Sequence, residues 1–158
     1  MISTDDISTI VQNILSTMLE MEATTEVPLP TRKRTNQVTG CIQISGEWQG
    51  AVVVQSSEEF ALTVASRLFE ESRENLVEDD LRDAFAELTN MIGGNIKGQV
   101  PSPSFLSIPS VTTGQDFDLH LSNAKVIREL GLDFDGDTLR IMMFEEDSSH
   151  PIRRHLRT

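Results

Sequence analysis

The sequence predicts an α+β fold in two layers, with helices packed on a largely antiparallel sheet. Three observations point there. Apolar residues recur at helical spacing near the N-terminus and again between residues 56 and 98. Two segments rich in β-branched residues, joined by a tight-turn signal, lie between those helical regions. Strand-like segments alone follow Pro103. Helices and strands are segregated enough for this fold class, and no strict repeat is present.

The elements follow in order. Ser3 or Thr4 can cap a first helix, with Asp5 and Asp6 in its first turn, where carboxylates suit the positive end of the helix dipole. Ile7, Ile10, Val11, Ile14, Leu15 and Met18 give that helix one apolar face, and it should end before Pro28. Thr24 to Asn36, rich in Thr, Pro and charge, reads as a linker. Val38 to Ile44 and Trp48 to Val54, with Ser45-Gly46-Glu47 between them, read as a β-hairpin in which Cys41 is a small buried residue and Trp48 packs the turn. Ser56 and Glu59 form a capping box for a second helix carrying Phe60, Val64, Leu68 and Phe69. A polar stretch, Glu70 to Val77, precedes a longer helix from about Glu78 to Gly98.

Beyond it, Phe105 to Val111 is a strand interrupted by Pro109, hence an edge strand or a bulge. Phe117, Leu119 and Leu121 alternate with polar residues, as in a half-buried strand. Val126 to Phe134 fits a period of two, though not uniquely, and Leu139 to Phe144 is a clear strand. The run Asp133-Phe134-Asp135-Gly136-Asp137 looks like a calcium loop but lacks a Glu at the twelfth position and is followed by a strand. It is read as a hairpin turn.

A length of 158 residues suits one domain, here residues 1–146, followed by a short basic tail, 147–158. The formal charge of −12 repels nucleic acid and anionic membrane, so neither is expected as a partner. Arg32, Lys33 and Arg34, and Arg153, Arg154 and Arg157, form two short basic clusters that read as solvated loop and tail. The single cysteine allows no internal disulfide, and neither Cys41 nor His120, His150 and His155 shows metal-ligand spacing. The N-terminus lacks a basic region followed by an apolar stretch, and no apolar run is long enough to span a bilayer, so a cytoplasmic protein is expected.

The informative segment is the long helix. At ~100° per residue, Leu81, Phe85, Leu88, Ile92 and Ile96 form one stripe, the buried face. Asp83, Glu87, Asn90 and Gly94 form a row on the opposite side. Ala86, Gly93 and Gly94 beside that row are small, although exposed helix positions usually carry longer helix formers. Two interior glycines cost roughly 1 kcal/mol each relative to alanine. That cost suggests close approach: small neighbours leave Glu87 and Asn90 standing clear for another macromolecule. The plainer reading is a solvated charge, a tolerated Asn, and at the glycines a helix kink, a helix end or packing against another helix.

The pattern Asp83-x-x-x-Glu87-x-x-Asn90 resembles the signature of the CheC and CheX phosphatases, and Glu87-Leu88-Thr89-Asn90-Met91-Ile92-Gly93-Gly94-Asn95-Ile96-Lys97 looks especially like the CheX branch. Ser107 to Gly114 is similar to the family's Pro-containing strand, with Pro109 nineteen residues after Asn90, a few fewer than the CheC pattern has. The resemblance spans most of residues 1–146, in a CheC-like fold. A single motif favours the CheX branch, whose members look like homodimers joined through sheet edges.

The resemblance implies a phosphatase for the aspartyl phosphate of a receiver domain. That receiver would bring its own Mg²⁺, an active-site Lys and the phosphorylated Asp, so the phosphatase needs no metal or cofactor of its own. Asn90 would hold the attacking water in line and Glu87 would bind the receiver's Lys. Asp83 either touches the partner or only supports the helix N-terminus. A rival reading is a non-catalytic receiver-binding adaptor or flagellar-switch-like scaffold, which has no need of a water-positioning amide. No phosphate-cradling Gly-rich loop supports a hydrolase of small phosphates.

Overall fold

Ser3, rather than Thr4, caps helix α1 (Thr4–Leu19) in the computed structural model, which describes residues 1–22, 25–27, 36–114 and 123–147. The Asp6 N–H donates to the Ser3 hydroxyl at 3.0 Å, and the Ser3 N–H donates to the Asp6 carboxylate at 2.9 Å. This reciprocal box fixes the helix start. The bond from the Ser3 N–H also holds the Asp6 carboxyl below the ordinary aspartate range. Ile7, Val11, Ile14 and Leu15 are buried as predicted and Ile10 is half-buried. Met18 is exposed instead, because the apolar stripe closes through Leu19, four residues after Leu15.

The predicted linker holds a short strand, β1 (Thr25–Val27), paired with β6 (Ala124–Phe134). The hairpin follows as β2 (Gln37–Gly46) and β3 (Gly50–Ser57). Gly46 takes φ +117°, and a Cβ there would meet the Pro103 carbonyl, so this corner needs glycine. Trp48 is buried, with its indole N–H on the Glu145 carboxylate at 2.8 Å.

The cap of α2 (Glu58–Phe69) is Ser57, not Ser56: its hydroxyl accepts from the Phe60 N–H. Ser56 lies buried at the end of β3 and donates to the Thr138 carbonyl at 2.9 Å. Phe60 and Val64 face the core, Leu68 is half-buried and Phe69 is exposed. One 3-10 turn, Arg73–Asn75, interrupts the polar stretch before α3 (Glu78–Lys97).

The strand predicted from Phe105 to Val111 is divided into β4 (Ser104–Leu106) and β5 (Ser110–Gly114), both antiparallel to β2 on its outer edge. β6 and β7 (Asp137–Glu146) form a second hairpin around Asp135-Gly136, both at positive φ. That is the turn the sequence suggested. The described strands form one antiparallel sheet in the order β1–β6–β7–β3–β2, with β4 and β5 outermost.

All three described helices pack on one sheet face, against Val38, Ile42, Val52, Val54, Leu132, Leu139, Ile141 and Met143 among others. The other face buries a smaller cluster, Ala51, Val53, Met142 and Phe144. Cys41 packs there half-buried, and desolvation pushes its thiol pKa up. No described helix is long and apolar enough to cross a membrane. The strand expected at Phe117 to Leu121, the three His residues and both basic clusters lie outside the described residues, as does the tail beyond Asp147.

Candidate active site

The site begins with how α3 is held. Its first turn carries Glu78, Asp79 and Asp80, and the Asp80 carboxylate accepts from the Val77 N–H at 2.9 Å. The predicted stripe of Leu81, Phe85, Leu88, Ile92 and Ile96 is buried, joined by Ala84, Thr89 and Gly93. Opposite it, Asp83, Glu87 and Gly94 are exposed, and Ala86 and Asn90 are half-buried.

Gly93 differs from its expected place beside the exposed row. It is buried, and a Cβ on it would stand 2.6 Å from Ile42 Cγ2. Its small size serves the contact between α3 and β2. Gly94, turned by about 100°, is open: the nearest atom to an added Cβ is Leu106 Cδ2 at 4.0 Å. The two glycines therefore predict opposite responses to alanine. Gly94→Ala should raise stability by roughly 0.5–1 kcal/mol through helix propensity, whereas Gly93→Ala should lower it, the clash costing about 1–3 kcal/mol. Thermal melting of the two variants checks this, and equal shifts would refute the assignment of the two faces.

A second notch mirrors the first. Thr89 is fully buried and sits over Gly40 of β2, where any Cβ would collide with the Thr89 hydroxyl and lie 3.0 Å from its Cβ. The hydroxyl itself donates to the Phe85 carbonyl at 2.7 Å, so its polarity is satisfied within the helix. A strand glycine thus receives a helix side chain, and a helix glycine receives a strand side chain. Together they fix how deep and in what rotation α3 lies, one residue from Asn90. Sequence reading did not identify this pair.

The other wall comes from the edge strand. Between the pairs Ile44↔Leu106 and Cys41↔Ser110, two residues of β2 (Ile42 and Gln43) face three of the edge (Ser107, Ile108 and Pro109). The extra residue is a bulge. Pro109 has no N–H to offer the ladder, and the bulge is where such a residue fits. Ser107 spans the break: its N–H donates to the Gln43 carbonyl at 2.9 Å, and its hydroxyl accepts from the Gln43 N–H at 2.9 Å. The same hydroxyl donates to the Ile108 carbonyl at 3.1 Å.

Between the walls runs an open groove of about 340 Å³. Asp83, Ala86, Glu87 and Asn90 line it from α3; Leu106, Ser107, Ile108 and Pro109 line it from the bulge. Pro109, singled out through the resemblance to the family's Pro-containing strand, lines the groove opposite the Glu87 and Asn90 row. Among the described residues, neither the Glu87 nor the Asn90 side chain is committed to a hydrogen bond or ion pair. Nearby, by contrast, Arg82 pairs with Glu78, and the Asn95 amide bonds the Met91 carbonyl. The groove therefore offers the carboxylates of Asp83 and Glu87 and the amide of Asn90, in successive helical turns, to whatever enters.

The arrangement of helices on one face of an antiparallel sheet matches solved proteins of the CheC-like fold. Chemotaxis protein CheX from Vibrio vulnificus is similar at a TM-score of 0.73 and 20% identity, over 89% of this chain and 95% of that one. CheX from Desulfovibrio desulfuricans gives 0.69 and 21%, over 89% and 96%. CheX in a complex with CheY, BeF3 and Mg²⁺ from Borrelia burgdorferi gives 0.69 and 17%, over 89% and 96%. No curated protein matches the chain. The family model for the chemotaxis phosphatase CheX matches residues 38–128, and the chain belongs to that family.

Proposed function

We propose that this protein hydrolyses the aspartyl phosphate of a phosphorylated response-regulator receiver by positioning a water in line with the scissile bond. The observation that carries the reading is the groove in which Glu87 and Asn90 stand uncommitted against the Pro109 wall. Phosphoryl transfer depends mostly on positioning and charge stabilisation, so a rigid helix bearing an amide is a sufficient catalyst when the substrate brings its own electrophile. The Asn90 carbonyl accepts a hydrogen bond from the attacking water and so aims the water's lone pair at phosphorus. Glu87 binds the receiver's active-site Lys by a charge-assisted hydrogen bond, which both docks the receiver and sets its register. Asp83, one turn earlier on the same face, extends the contact, while Ala86 and Gly94 leave room for it.

In this reading the receiver carries the Mg²⁺ and the phosphoryl group as parts of the substrate, and the phosphatase supplies no cofactor. The protein acts in the cytoplasm, as a homodimer joined through sheet edges. A matching likeness to a CheX solved with CheY supports a receiver as the partner. The adaptor reading is weaker, because binding alone leaves the uncommitted amide of Asn90 without a task.

The test is the decay of a phosphorylated receiver in Mg²⁺, with and without the protein. Faster decay is expected. Glu87→Ala should raise KM and lower kcat together, since it loses the docking bond and the register; a variant with both values unchanged would remove Glu87 from the site.

A further inference from the structure

Ile108 is 90% exposed, more than any other large apolar residue described. A lone exposed isoleucine is ordinary on a protein surface. This one is not at a slack loop tip. The bulge turns it outward, its carbonyl is tied to the Ser107 hydroxyl, and Ser107 is anchored twice to Gln43 of β2. Bulges beside functional sites commonly re-aim a side chain in this way. Ile108 also borders the same groove as Glu87 and Asn90. Any macromolecule that delivers a reacting group to Asn90 must therefore cover Ile108.

We infer that Ile108 is a preorganised apolar docking contact that inserts into an apolar depression beside the phosphorylated aspartate of the receiver. The identity of the partner rests on the phosphatase reading above. The opposite wall offers Asp83 and Glu87, both exposed, whose attraction for a partner's cations is screened by salt. Burial of Ile108 adds a component that salt does not screen. Because the bulge already holds the side chain outward, little ordering is lost on docking.

The test is calorimetric titration with receiver domains from the same genome, each locked by beryllofluoride and Mg²⁺, alongside turnover of the phosphorylated forms. Ile108→Ala should weaken Kd by about ten-fold, as expected for a buried apolar anchor, at both low and high salt and with unchanged Tm. Phe105→Ala is the control: Phe105 is 63% exposed on β4, adjacent to Leu106 and so on the other strand face, and does not line the groove. Its Kd should stay at the wild-type value. Equal Kd for Ile108→Ala and wild type, with turnover intact, would overturn the docking inference and leave the phosphatase reading standing. Binding without turnover would overturn the phosphatase reading, while the Ile108→Ala titration still decides the docking inference. No binding of any receiver by the wild-type protein would overturn both.

Discussion

The Asn90→Ala variant is expected to bind a phosphorylated receiver as the wild type does and to dephosphorylate it about 100-fold more slowly, the scale on which misplacing a reactant by an ångström acts. Asn90 is half-buried on the groove side of α3 and its amide is uncommitted among the described residues. Truncation removes the one neutral hydrogen-bonding side chain that α3 turns into the groove. Alanine is a better helix former than asparagine, so lost stability does not account for a lost rate. Asn90→Asp separates shape from charge: the size is kept, but a carboxylate beside a transferring phosphoryl group repels it. Single-turnover decay at saturating phosphatase is the measurement. A wild-type rate in Asn90→Ala would remove water positioning from this residue.

Gly40→Ala should lower stability by about 2 kcal/mol, a typical overpacking cost, which for a chain of this size corresponds to a Tm about 4–8 °C lower. The added methyl collides with the Thr89 hydroxyl and stands 3.0 and 3.2 Å from its two side-chain carbons, in a fully buried contact between sheet and helix. Relief requires α3 to lift or turn, which moves the Glu87 and Asn90 row relative to the Pro109 wall. Turnover should therefore fall as well, at temperatures where the variant is still folded. Adding Thr89→Ala takes away the hydroxyl and the γ-methyl, so that only the contact with the Cβ of residue 89, at 3.0 Å, is left to accommodate. The double variant should be more stable than Gly40→Ala alone, because contacting residues do not act additively. A double variant as unstable as the sum of the two single changes would mean that the notch does not hold the helix.

The features legible in the sequence are those set by local rules. The stripe from Leu81 to Ile96 follows from helix periodicity, and the turn at Asp135-Gly136 from the positive φ both residues adopt. The break at Pro109 follows from its missing N–H. The Glu87 and Asn90 row is legible because exposure is the complement of the buried stripe. What stayed hidden depends on distant neighbours. Gly40 and Thr89 are 49 residues apart, and no spacing rule joins them. A wheel puts Gly94 on the exposed row, but it does not show that Gly93 beside it meets Ile42 of a distant strand. The cap moved from Ser56 to Ser57 because β3 runs three residues past Val54, where its apolar pattern ends, drawing Ser56 inward. At three residues, Thr25–Val27 is too short for alternation to register.

Both walls of the groove are fastened to β2: α3 through its two glycine notches, the bulge through the paired bonds between Gln43 and Ser107. A single strand therefore gauges the aperture, and the amide and the proline move as one rigid jaw. The β6–β7 hairpin sits on the far side of β3 and is not paired with β2. Drift there can change the stability of the sheet while the groove keeps its geometry. On the jaw itself, exchange of the exposed residue at 108 changes the rim of the groove without moving Asn90.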